Sequence, residues 1–102
     1  MIIVNGRIET TAEAIAALKD AVATMEAASR AEAGCDDYTF SVELNNPNAI
    51  RITERWEDMA ALEAHMGTPH MAEFQKAMAA HPPKASQVYF YEATEVPRPG
   101  SR

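Results

Sequence analysis

The side chains that could do chemistry in this sequence are imidazoles, carboxylates and aromatic rings, and they gather in Glu54 to Phe74, ERWEDMAALEAHMGTPHMAEF. That stretch holds Trp56, the only tryptophan, and two of the three histidines, His65 and His70. His65 follows Leu62 by three and Met59 by six, which puts it on or beside the inward stripe of a helix. An imidazole there can exchange a proton near neutral pH, because its reference pKa is about 6.5. A packed, hydrogen-bonded histidine is the alternative. His70 falls in the first turn of the next helix, where the positive end of the dipole favours a neutral imidazole bonded to its neighbours. Its role is therefore structural or, less directly, catalytic, and His81 beside Pro82-Pro83 is expected at the surface.

His65 and His70 are five residues apart with Gly67 and Pro69 between them, so they do not form the zinc pair that a spacing of four on one unbroken helix provides. No metal is expected. Phosphate loops, GxGxxG, GxSxG and paired-cysteine zinc spacings are absent, which argues against nucleotide and flavin binding by a dedicated motif. The lone Cys35 cannot form an internal disulfide and reads as a small packed hydrophobe.

Other candidates come from strands. Asn5 is an amide in the short apolar run IIVNG, serving either a structural hydrogen bond or a ligand pocket. Tyr38 and Trp56 have core-facing parity, as packed aromatics or as flat walls for a planar ligand. Glu54 shares the apolar parity of Ile50, Ile52 and Trp56, where a charge is costly unless partnered. Met59, Met66, Met71 and Met78 are adaptable packing that would suit an apolar pocket.

The elements that must hold these residues follow from periodicity. Ile2 to Glu9 alternates as a strand. Thr10 or Thr11 caps a helix whose stripe is Ile15, Leu18, Val22 and Met25, and Gly34 ends it, with Arg30 and Glu32 as solvated charges in the last turn. Asp37 to Leu44 and Ala49 to Trp56 form a hairpin about the turn Asn45–Asn48. A helix opened by Glu57-Asp58 carries Met59, Leu62 and Met66 inward and stops at Gly67. Thr68-Pro69 starts another, with Met71, Phe74 and Met78 inward, that ends before Pro82-Pro83. Gln87 to Val96 is the last strand, followed by a polar tail over residues 97–102. The order β-α-β-β-α-β, with its second helical region in two pieces, predicts an α+β, ferredoxin-like protomer with a four-stranded antiparallel sheet.

At 102 residues one domain over residues 1–96 is expected, and strands apolar on both parities predict a homodimer packed sheet to sheet. A net charge of −6 without a basic cluster argues against nucleic acid and anionic membranes. Neither a signal peptide nor a membrane span is read in MIIVNGRIE, so the expected location is cytoplasmic.

The strand ending V-N-G, the segment SRAEAGCDDYTF, the turn NNPNAI, the run ERWEDMAALEAHMGTPHMAEF and the strand VYFYE together resemble the antibiotic biosynthesis monooxygenase family. The resemblance implies a dimeric α/β barrel with a small-molecule cavity between sheet and helices. It implies a quinol monooxygenase-like activity on quinol-like or polycyclic aromatic substrates with O2, using neither metal nor flavin, in which the deprotonated substrate itself reduces O2. By resemblance, His65 is the base and Asn5 the oxyanion or peroxide partner, with Trp56, Tyr38, Met66 and His70 around the substrate. The family's heme-degrading relatives carry tryptophan at the position of His65 and a heme-ligating histidine at that of Gln75, so only Asn5 of that pattern is present here. An isomerase relative of a phosphorylated signal molecule shares the pattern His65-x-x-Thr68-Pro69-His70, but few basic residues stand near it to hold a phosphate. A dimeric barrel that binds a small molecule without turning it over is the third reading.

Overall fold

A computed structural model describes residues 1–100. The elements are β1 (Ile2–Glu9), α1 (Ala12–Arg30), β2 (Cys35–Glu43), β3 (Asn46–Trp56), α2 (Met59–Met66), α3 (Pro69–Ala80) and β4 (Ala85–Glu92). The sheet order is β2-β3-β1-β4 and every pairing is antiparallel, with the helices on one face, so the chain has the ferredoxin-like α+β fold. Among the described residues no helix is long and apolar enough to cross a membrane.

Each helix begins with a side-chain cap, as the sequence predicts. The Thr11 hydroxyl accepts from the Ala14 N–H at 3.1 Å, the Asp58 carboxylate from Ala61 at 2.9 Å, and the Thr68 hydroxyl from Met71 at 3.3 Å. These satisfy N–H groups that have no partner inside the helix. The C-cap of α2 at Gly67 and the N-cap of α3 at Thr68, side by side and followed by Pro69, break what would otherwise be one helix into two. The break re-aims the chain between His65 and His70.

The helix-facing side of the sheet carries the core. Val4, Glu54, Tyr38 and Phe90 form one cross-strand row, flanked by rows containing Ile2 with Trp56 and Gly6 with Ile52. Ile2, Val4, Met25, Tyr38, Trp56 and Leu62 pack as one buried cluster against which Met71 and Phe74 lie, and Ile8, Ile50 and Ile52 form a second beside Met78. The inward stripes expected of α1 and α3 are met, but α2 differs. Met59 and Met66 are 47% and 51% exposed, and only Leu62 of the expected three faces inward, joined by His65.

Other boundaries also depart from the sequence reading, β2 beginning at Cys35 rather than Asp37 and β4 at Ala85 rather than Gln87. α1 stops at Arg30, four residues before Gly34, and the turn between them uses the positive φ of Gly34 (81°). A bulge between Val42 and Glu43 breaks the alternation of β2, which leaves Leu44 98% exposed and lets β3 begin at Asn46 rather than Ala49. β4 ends at Glu92, not Val96. Of the predicted tail over residues 97–102, the last two lie outside the described residues.

The opposite face of the sheet is uncovered by this chain. It carries Asn5, Thr39, Thr53, Tyr89 and Tyr91 beside an ionic cluster in which the Nε atoms of Arg7 and Arg51, directly across the β1–β3 ladder, each lie 2.7 Å from Glu43 Oε2. That bridging carboxylate is held below its ordinary pKa by its hydrogen bonds from Arg7 and then Arg51.

Candidate functional site

Between the sheet and the α2–α3 pair lies a cavity of about 230 Å3, walled by Val4, Tyr38, Glu54, Leu62, His65 and Met66 on one side and by Phe74, Val88 and Phe90 toward its mouth at β4. Its walls are almost wholly apolar, and the groups in it that can exchange protons are His65, Glu54 and Tyr38. A wider groove of about 370 Å3 between α1 and the β2–β3 edge is also apolar, but its ionisable groups are Lys19 and Glu26 alone. The imidazole, buried carboxyl and phenol therefore gather at the first cavity.

His65 is 1% exposed and stands at the buried end of a polar chain centred on Glu32. Its Nδ1 lies 2.6 Å from Glu32 Oε2, and the same oxygen lies 2.8 Å from His70 Nε2. A carboxylate oxygen accepts, so the imidazole nitrogen facing it carries the proton. In neutral His65 that proton is on Nδ1, and the lone pair is left on Nε2. The ring is wedged by Trp56 and Tyr38, with centroids at 4.7 and 5.2 Å, so its orientation is fixed by packing as well as by Glu32. Thr68 secures the backbone, its hydroxyl donating to the His65 carbonyl at 2.7 Å.

The second buried acid is Glu54, at 9% exposure. Trp56 Nε1 donates to its Oε1 at 2.9 Å. Burial pushes the Glu54 carboxyl up, against the opposing pull of the Trp56 hydrogen bond and the His65 charge. Tyr38 beside it is pushed well above its ordinary value, first by burial and then by the Glu54 charge, so its hydroxyl stays protonated at neutral pH. Cys35 is raised by burial and then by Glu32 and Glu54, which makes it a poor nucleophile.

The structure brings together His65, Tyr38 and Met66 on the cavity wall, with Met66 half-exposed at the rim. It separates two expected residues from them. Asn5 is on the uncovered face, paired with Thr53 and Tyr89, and is exposed. Strand alternation points it away from the cavity that Val4 lines, so it is not the partner of His65 in this protomer. Trp56 is 0% exposed and belongs to the core, standing behind the cavity wall where it packs on His65 and donates a hydrogen bond to Glu54. His70 lines a different groove, of about 390 Å3, between α1 and α3. Its ring and that of His65 are nonetheless near each other, with centroids 5.9 Å apart, because the break at Gly67-Thr68-Pro69 turns α3 back toward the same carboxylate.

Glu32 is the residue that sequence reasoning missed. Expected as a solvated charge, its side chain is 14% exposed and joins the two imidazoles. No local pattern reveals this, since its partners lie 33 and 38 residues downstream. The only signal was its position two residues before Gly34, in a turn that has to bend sharply toward α2.

Comparison with known proteins agrees with this fold. The model of the family described as antibiotic biosynthesis monooxygenase matches residues 1–77, which include the whole Glu32–His65–His70 chain. The chain belongs to the antibiotic biosynthesis monooxygenase family. Within solved structures of this kind, a candidate antibiotic biosynthesis monooxygenase from Deinococcus radiodurans superposes with a TM-score of 0.87 at 28% identity, covering 96% of this chain and 97% of the other. A Pseudomonas aeruginosa protein, PA3566, superposes at 0.80 with 26% identity over 92% of this chain and 94% of its own. Among curated relatives, the probable quinol monooxygenase YgiN of Escherichia coli K12 is 36% identical over 55 residues, 46% of this chain and 53% of YgiN. An uncharacterized Synechocystis protein, sll1783, is 31% identical over 67 residues, 66% of this chain and 46% of that protein. The chain thus spans about half the length of the curated relatives it matches.

Proposed function

We propose that this protein is a monooxygenase of a small quinol-like substrate that needs no cofactor, with His65 as the base and Glu32 as the residue that orients it. The observation that carries the reading is the 2.6 Å contact from Glu32 to His65 Nδ1, which leaves Nε2 available on a buried, apolar cavity wall. The likeness to YgiN, a probable quinol monooxygenase, supports the substrate class. The cavity supports a one- or two-ring molecule rather than a polycycle, since about 230 Å3 is below the ~300–1,000 Å3 of pockets for drug-sized ligands.

In this mechanism His65 Nε2 takes a proton from a quinol hydroxyl. The resulting quinolate passes one electron to O2, and the semiquinone and superoxide combine into a carbon-bound peroxide. Loss of water from that adduct leaves the hydroxyquinone, so quinol plus O2 gives hydroxyquinone plus water and the substrate supplies every electron. Asn5 was expected as the oxyanion or peroxide partner; in its absence from the cavity Glu54, its carboxyl pushed up by burial, is the group that protonates the departing peroxide oxygen. His70, half-buried with its own groove beyond it, gives the proton on His65 a route outward through Glu32. Dry apolar walls limit loss of the semiquinone pair to bulk water.

The isomerase reading is weaker, because among the described residues the cavity walls include no lysine or arginine to hold a phosphate, while Glu54 on the wall and Glu32 behind His65 are both acidic. Homodimerisation is part of the proposal. On β4, Val88, Tyr89, Phe90 and Tyr91 are 39–55% exposed, an apolar edge strand that invites cover by a second sheet. A dimer mass by light scattering at micromolar concentration is expected, and a monomer mass contradicts it. The activity is tested by O2 uptake with benzo- and naphthoquinols, comparing wild type with His65→Asn. Substrate-dependent uptake lost in the variant is expected; equal uptake by the variant would overturn His65 as base.

A further inference from the structure

We propose that Glu32, His65 and His70 form a site for a zinc-class divalent cation whose occupancy switches the base off. One ligand atom from each of the three residues lies within 4.8 Å of the others, and the three come from three different segments: the turn after α1, the last turn of α2 and the first turn of α3. Two imidazole nitrogens and one carboxylate oxygen are the donor set of Zn2+ and its first-row neighbours, whereas Mg2+ and Ca2+ prefer oxygen alone. Three protein ligands leave one tetrahedral position for water. His70, whose side chain is 20% exposed and which lines the α1–α3 groove, provides the way in.

The two contacts of Glu32 need only a small adjustment, while the two imidazole nitrogens, within 4.8 Å of each other, move together as the ion seats. With bonds of about 2.0–2.1 Å, tetrahedral ligands stand about 3.3 Å apart. The contacts of Glu32 Oε2 with His65 Nδ1 and His70 Nε2, now 2.6 and 2.8 Å, must open by roughly half an ångström, within the reach of side-chain torsions. The backbone around the site is already braced. Glu32 N–H donates to the Ser29 carbonyl at 3.0 Å, Cys35 N–H to the Glu32 carbonyl at 3.2 Å and Glu57 N–H to the Gly34 carbonyl at 2.7 Å. The cation replaces the hydrogens that Glu32 now accepts, so the ligand set exchanges one stabilising arrangement for another.

Switching follows from which nitrogen is used. A cation on His65 Nδ1 leaves the remaining proton of the neutral ring on Nε2, the atom that faces the cavity reaction. The lone pair that takes the substrate proton is gone. This part rests on the oxygenase reading above, while the binding itself does not.

The test titrates the chelator-treated full chain with Co2+, then displaces it with Zn2+. One cation per chain is expected, with the intense visible d–d bands of four-coordinate cobalt, lost on adding Zn2+ and retained in excess Mg2+. Glu32→Gln and His70→Asn, checked for native circular dichroism, should each weaken binding at least tenfold, while His81→Ala and Cys35→Ser should bind as wild type. Absence of a one-to-one complex in the wild-type protein, or loss through His81 or Cys35 instead, overturns the site. With a quinol that the metal-free protein oxidises, saturating Zn2+ should abolish O2 uptake. Uptake that survives a measured one-to-one complex overturns the switch. Failure of the metal-free protein to oxidise any quinol overturns the oxygenase reading and the switch with it, and cobalt binding by the wild type then still supports the site by itself.

Discussion

Removing the Glu32 side chain is the perturbation that bears on both stability and chemistry. Glu32→Ala takes away two hydrogen bonds of 2.6 and 2.8 Å to imidazole nitrogens. Bonds of this type to a charged partner contribute about 1.5–3 kcal/mol each when they are shielded from water. His65 is 1% exposed, so no solvent replaces its partner and an orphaned buried N–H remains. His70 at 20% side-chain exposure is rehydrated, and its loss is discounted accordingly. The net cost comes to about 2–4 kcal/mol, which in a domain of this size lowers Tm by roughly 10–25 °C. Thermal unfolding followed by circular dichroism measures it. Glu32→Gln, whose amide oxygen still accepts, should lose less than half as much. The same change frees the His65 tautomer, which nitrogen-15 NMR reads directly as a shift of the proton from Nδ1 toward Nε2. A Tm within ~2 °C of wild type for Glu32→Ala, with an unchanged His65 tautomer, would refute the claim that Glu32 orients the base.

Two further outcomes follow from the same site. Glu54 is raised above its ordinary range by burial, so its protonated form is favoured on folding: that stability is fully present below the unfolded pKa, near 4.5, and is lost as pH rises through the folded value. Glu54→Gln, which keeps an acceptor for Trp56, should therefore raise Tm at pH 7.5, with the gain vanishing at pH 4; a gain independent of pH would show that burial of the charge is not its source. Gly34→Ala forces a side chain into φ 81° and places its Cβ 2.7 Å from that of Ala61, so a loss of at least about 2 kcal/mol in urea unfolding is expected, and a loss under ~0.5 kcal/mol would show that the turn holding Glu32 is not tightly set.

Much of the fold was legible because it is written in local periodicities. The strand alternation, the Thr68-Pro69 restart and the inward placing of His65 by its spacing from Leu62 are all properties of neighbouring residues. The face that the helices cover was not legible in the same way. β4 is apolar on both parities and says nothing of which face is covered, whereas β1 alternates, Ile2, Val4 and Ile8 opposing Asn5, Arg7 and Glu9. Its own pattern turns Asn5 away from the cavity that Val4 lines, and only the family resemblance placed Asn5 beside the base. The bulge at Val42/Glu43 shifts register without a glycine to announce it. Glu32 was hidden for a different reason. It is ordinary by local criteria, a charge just past a helix end, and acquires its role only when α2 and α3, broken apart at Gly67, return two imidazoles to it.

The central claim is that the substrate supplies the electrons and the His65–Glu32 pair removes its proton. Turnover of a small quinol under 18O2 by chelator-treated protein tests it most directly. The prediction is one 18O in the hydroxyquinone and the other in water, no accumulated hydrogen peroxide, and a loss of at least ~100-fold in rate for His65→Asn. Oxidation of the quinol to the plain quinone with stoichiometric hydrogen peroxide and no label in the organic product would contradict it.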